Sequence, residues 1–177
     1  MSLGGWLEQR LFERRIVVVS GRLDDEVANR AVAALLALDA VGELPIELHL
    51  NVAEATLDAA LTLMDTADAL HAPLRVLCRG QVGGPALGVV ASADHRVAMP
   101  HAQFHLSQPT ARFAGNPDEI AAQNRRQQEL LWKLYARLAR RTGRPAEEIA
   151  EDVRRGRRLD ARGALDYGLI DEITPTS

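Results

Sequence analysis

The chain has 177 residues, with 21 Arg and Lys against 24 Asp and Glu, a net charge of -3 and a pI near 6.0. That is enough chain for one domain with a real core, and too little basic charge to hold a nucleic acid by counterion release. The one cysteine, Cys78, excludes a disulfide framework or a cysteine metal site and fits a reducing cytoplasm, and no apolar run reaches the roughly 18 residues of a membrane span.

Residues 1–10 have no signal-peptide core and are expected to be flexible or appended at cloning. "RIVVVSG" (15–21) is a short β-branched run stopped by Gly21 and predicts a buried strand. "DDEVANRAVAALLALDAVG" opens with acids, as a helix N-terminus does, and repeats Val27, Ala31, Leu35 and Leu38 at helical spacing. "PIELHLN" (45–51) alternates as a second strand, and "TLDAALTLMDTADAL" (56–70) is an amphipathic helix. "PLRVLCRG" (73–80) predicts a third strand, and "PALGVVASAD" (85–94) a helix of small residues. "HRVAMP" (95–100) and "AQFHLSQP" (102–109) predict two more strands. Strands alternating with helices favour parallel pairing through right-handed crossovers, an α/β class.

From Pro117 the pattern changes. Residues 118–143 form one long helical pattern, polar on all sides at first and then carrying Leu130, Leu131, Leu134, Tyr135 and Leu138 on one face. A helix whose first turns lack an apolar stripe projects from its own core. "PAEEIAEDVRRG" opens another helix, and "DARGALDYGLIDEI" closes the chain as a short helix and a strand. Arg125-Arg126, Arg140-Arg141 and the run from Arg154 to Arg158 lie among acids and read as solvated or subunit-facing surface. The near-total use of Arg over Lys, with Lys133 the single lysine, points to a GC-rich bacterial genome. No repeat or linker interrupts residues 1–177, so a single domain is expected.

The order of these segments resembles the proteolytic subunit of the Clp protease (ClpP, peptidase family S14), within the wider ClpP/crotonase fold, from about Leu11 to Ile173. The marks are "RRIVVVSGRLDDEVANRAVAALLALD", "CRGQVGGPALG", "HRVAMPHAQFHLSQP", "RTGRPAEEIAED" and "ALDYGLIDEI". The resemblance implies repeated β-β-α spiral units, with a long protruding helix at about 118–141 that meshes between stacked rings of seven. It also implies a homo-oligomer, with an active ClpP subunit and a Clp ATPase as partners. Asp118, Gln123, Arg126, Gln127, Leu131 and Tyr135 are the expected oligomer contacts.

Family members cut peptide bonds with a serine nucleophile, a histidine base and an aspartate that orients the histidine. Matching Gly80-Gln81 carries the nucleophile position onto Gly84, which has no side chain, followed by Pro85, which has no N–H for an oxyanion. Gln108-Pro109 carries the base position onto Ser107, and "EDVRRGRR" carries the acid onto Gly156, with Asp152 one helical turn earlier. Where relatives have "NSPGGS", this chain has "NVAEAT", so Glu54 and Ala55 replace the glycines and Glu54 brings negative charge toward an oxyanion. Ser107 with His105 or His101 is the one remaining pair for a residual cleft, His105 lying about 6–7 Å from Ser107 on the same strand face.

The expectation is a catalytically silent subunit that acts through assembly, in the cytoplasm, without cofactor or metal. Two alternatives stand beside it. "GGPALGVVASADHRVAMPHAQF" also resembles the crotonase signature, which implies an acyl-CoA-binding protein whose backbone amides polarise a thioester. A serine peptidase with a rearranged site is the other.

Overall fold

The computed structural model describes residues 3–175; Met1, Ser2, Thr176 and Ser177 lie outside the described residues. Helix α1 (Leu3–Glu13) leads into strand β1 (Ile16–Leu23), then α2 (Asp25–Val41), β2 (Ile46–Ala55), α3 (Leu57–Ala69), β3 (Leu74–Gly83) and α4 (Ala86–Ser92). Strands β4 (His95–Ala98) and β5 (Gln103–His105) precede the long helix α5 (Pro117–Thr142). Helix α6 (Ala146–Arg155), strand β6 (Arg158–Asp160), helix α7 (Ala161–Tyr167) and strand β7 (Glu172–Ile173) complete the chain.

Most of these starts and stops have local causes. Asp24 accepts from the Val27 N–H to cap α2, and Thr56 accepts from Ala59 to cap α3. Asn116 and Glu119 form a reciprocal capping box at α5, with Pro117 at its first turn. Helices α5, α6 and α7 each end on a glycine in the left-handed region: Gly143, Gly156 and Gly168.

The sheet runs β1-β2-β3-β4-β7, all parallel as the strand–helix alternation predicts. Strand β3 does more than its place in that order suggests. Its first half, Arg75 to Cys78, pairs with β4, while Gln81 to Gly83 pairs with β5, which in turn takes β6 antiparallel. The register shifts just before the split in both other strands, between Ser20 and Arg22 on β1 and between Leu50 and Val52 on β2. Shifts of this kind bend and twist strands, so the ends of β2 and β3 turn away from β4 toward a second small wall made of β5 and β6.

One sheet face is apolar. Leu48, Leu50, Val52, Val76, Cys78 and Val82 are fully buried there, in one core with Leu35, Leu63 and Leu138 from α2, α3 and α5. Burial drives the Cys78 thiol up to about 12, so it packs as a small apolar group and not as a nucleophile.

Four sequence expectations change. Of residues 1–10, expected to be flexible or appended at cloning, those from Leu3 onward belong to helix α1, although none of its residues is buried. The fifth strand covers 103–105 and not 102–109, because Leu106 leaves the β3 ladder and donates its N–H to the Arg157 carbonyl. Strand β6 is an element the sequence reading lacks, with Arg158 read as the end of a charged run and Asp160 as the start of the last helix; its three residues, Arg158, Leu159 and Asp160, pair with His105, Phe104 and Gln103. Leu131 and Tyr135, named as oligomer contacts, are buried in the protein's own core at 5% and 6% exposure. Their helical spacing with Leu134 and Leu138 points all four inward. The first turns of α5, Asp118 to Arg126, are exposed throughout.

Close approach of β2 and β3 explains Gly83. A Cβ there would lie 2.7 Å from the Ala53 carbonyl oxygen, a backbone atom with no room to move. Gly83→Ala is therefore expected to destabilise the fold by about 1–3 kcal/mol, read as a lowered denaturant midpoint with an unchanged slope.

Candidate functional site

Because β1, β2 and β3 are parallel, their carboxyl ends share one edge, and β3's change of partner opens a crevice there, where ligands bind in open α/β sheets. A cleft of about 310 Å³ occupies it. One wall is formed by Arg22, Glu54, Ala55 and the turn Gly83-Gly84-Pro85; the other carries Gln103, His105, Ser107 and Arg158. Gln108, Pro109 and Thr110 form its lip.

The turn itself is tightly held. Gly84 sits at φ +55, in the left-handed region. Its N–H donates to the His105 carbonyl at 2.9 Å, and its own carbonyl accepts from Leu87 at 3.1 Å. A Cβ at Gly84 would point at Ser107 and stop 3.5 Å from its Oγ, in ordinary contact. The position matched to the nucleophile thus faces the position matched to the base, but neither bears the group that the chemistry requires.

A Cβ at Gly156 would lie 3.5 Å from His105 Nε2. His105 is the half-buried imidazole of the cleft, and its ring hydrogen-bonds the Gly156 backbone. Burial, and then the neighbouring Arg158 guanidinium, hold its pKa below the ordinary histidine value, while the bond to Gly156 opposes them. Ser107 and His105 line one cleft, yet no hydrogen bond joins them among the described residues.

His101 does not join this group. It stands exposed in the turn after β4, two residues before β5 begins, and lines no part of the cleft. Asp152 is also committed elsewhere: it is buried on the inner face of α6, accepting from Tyr167 Oη at 2.7 Å and from Arg157 at 3.0 Å. Arg144 stacks 4.0 Å from the Tyr167 ring centroid and Arg157 lies 5.1 Å from it, so this carboxylate is part of the packing of α5, α6 and α7. Among the expected oligomer contacts, Gln123 donates to the Ala114 carbonyl and steadies the loop before α5, while Gln127 is half-buried.

Sequence reasoning missed Arg22 and Arg158 as cleft residues. Arg158 was hidden in a basic run whose other members are paired within or beside α6: Arg154 and Arg155 with Glu151, and Arg157 with Asp152. Among the described residues, no group of His, Cys, Asp and Glu is arranged to hold a metal ion.

Two histidines should titrate in opposite directions. His71 hydrogen-bonds Asp39, which raises its pKa, whereas His105 is lowered by burial and Arg158. The His105 contribution to stability is present above the unfolded value near 6.5 and is lost as pH falls through the lower folded value; that of His71 is present below 6.5 and lost as pH rises through its higher folded value. Histidine NMR titration should place His105 below 6.5 and His71 above it, and His105→Ala should remove the lower one.

The family model described as Clp protease matches residues 6–177. The chain is 31% identical over 166 residues to the ATP-dependent Clp protease proteolytic subunit-related protein 2, chloroplastic, of Arabidopsis thaliana. That match covers 92% of this chain and 60% of the plant protein, so the chain spans well under the relative's whole length. Members of the family typically form oligomeric rings. With a parallel α/β sheet, a glycine turn facing Ser107 across the cleft and a match over nearly every residue, the chain belongs to the Clp protease family.

Proposed function

We propose that this protein is a catalytically silent subunit of a Clp-type assembly, contributing surface and ring geometry and not peptide hydrolysis. The observation that carries the reading is Gly84: at the turn facing Ser107 there is no atom to acylate. The surroundings agree with it. Ser107 cannot act as a base near neutral pH, Gly156 supplies no carboxylate, and Glu54 adds negative charge to the cleft.

The same turn argues against thioester binding. Polarising an acyl-CoA carbonyl in the crotonase manner needs paired backbone N–H groups. Here the Gly84 N–H is spent on the His105 carbonyl and Pro85 has none. For assembly, α5 offers an exposed first half from Asp118 to Arg126, with Trp132 also exposed. An active family member is the natural partner, in the cytoplasm of a bacterial cell.

The test has two parts. A fluorophosphonate probe should leave the protein unlabelled, and Ser107 labelling would overturn the reading. Gly84→Ser should fold with some loss of stability, because its Cβ meets Ser107 without a clash while the left-handed backbone costs about 1–3 kcal/mol, yet it should cleave no peptide; turnover by that single variant would sink the proposal. Co-expression with an active ClpP subunit should give one mixed ring by native mass spectrometry.

A further inference from the structure

We infer that the vacated cleft binds a carboxylate, held at the Arg158 end beside His105 and Ser107. The inference rests on the reading of the cleft as silent, and gives it a ligand. Three observations on the cleft support it.

First, Arg158 has no ion-pair partner among the described residues, unlike Arg154, Arg155 and Arg157 in the same run. Strand β6 places it opposite His105 on β5, and it lines the cleft. An arginine fork matches a carboxylate with two parallel donors.

Second, Ser107 and His105 each face a glycine and not a side chain. Gly84 leaves ordinary contact room in front of Ser107 Oγ, and Gly156 leaves it in front of His105 Nε2. Ser107 adds a hydroxyl donor, and Gln103 on the same wall adds an amide.

Third, the charges of the cleft give it direction. Its one carboxylate, Glu54, lies on β2 in register with Arg22 on β1, on the opposite wall. An anionic ligand group is repelled from the Glu54 end and drawn to Arg158, where the neighbouring histidine is held toward its neutral form.

A carboxylate can arrive in two ways: as the free C-terminus of a peptide, or as a small organic acid. The probes are a blocked tetrapeptide with a free C-terminal carboxylate, the same peptide as its C-terminal amide, and acetate. Affinity is read by calorimetry on the full chain, and the His105 ring resonances serve as a local reporter.

The carboxylate peptide should bind about ten-fold or more tightly than the amide, the usual reach of a charge-assisted hydrogen bond. Binding should shift the His105 titration upward, because a negative charge beside an imidazole favours its protonated form. Arg158→Gln should remove the preference, Arg158→Lys should keep part of it, and Arg154→Gln, outside the cleft and paired with Glu151, should leave it. If acetate competes at the same concentration as the peptide, the source is a small acid; if only the peptide binds, the source is a chain end. Equal binding of carboxylate and amide, or a preference that survives Arg158→Gln, overturns the inference. Either result leaves the silent-subunit reading intact, since that falls only to probe labelling or peptide turnover.

Discussion

The hydrogen bond from the Gln81 N–H to Asn51 Oδ1, at 3.0 Å, sits where the sheet divides, and the site depends on it. Asn51 is the residue at which β2 shifts register, and Gly80, at φ +52, is where β3 leaves β4 for β5. A Cβ at Gly80 would come within 2.5 Å of Asn51 Oδ1, so the amide can reach the backbone only because position 80 is bare. Remove the fork and β3 would run straight along β4, with no crevice and no second wall. The cleft exists because one strand changes neighbours halfway along its length.

Much of this was legible in the sequence. The β-branched runs, the acidic helix starts and the glycine stops located most elements, since each reflects local physics that needs no tertiary partner. Gly84, Ser107 and Gly156 were singled out from short flanking motifs, and the fold brings each into the cleft or against His105. What escaped was set by long-range pairing. Arg158 became a cleft residue only through an antiparallel contact with His105, 53 positions earlier, which no local pattern encodes. Leu131 and Tyr135 were assigned to a partner because helical spacing shows that a face is apolar, but not whether a neighbour or the chain's own core covers it.

The residues that hold the architecture together have packing roles of their own, separate from any chemistry of the cleft. The turn keeps its left-handed glycine and its bond to the His105 carbonyl, because these hold β3, α4 and β5 together whether or not a nucleophile is present. Gly156 terminates α6, with its N–H closing onto Val153, and so has a structural occupation of its own. Asp152 is built into the Tyr167, Arg144 and Arg157 cluster that locks the last helices together. Packing keeps a fold whatever chemistry its cleft carries, which is why family membership and activity are separate conclusions.

The pairing of β5 with β6 also has a consequence for the order of events during synthesis. Residues 16–83 lay down β1, β2 and β3 with their helices, and α5 follows from residue 117, so the core and the projecting helix are available early. Arg158 and its strand come only after residue 157, close to the end of the sequence. A nascent chain thus displays its outward helix before Arg158 joins the wall begun by Gln103, His105 and Ser107, and only α7 and β7 follow that strand.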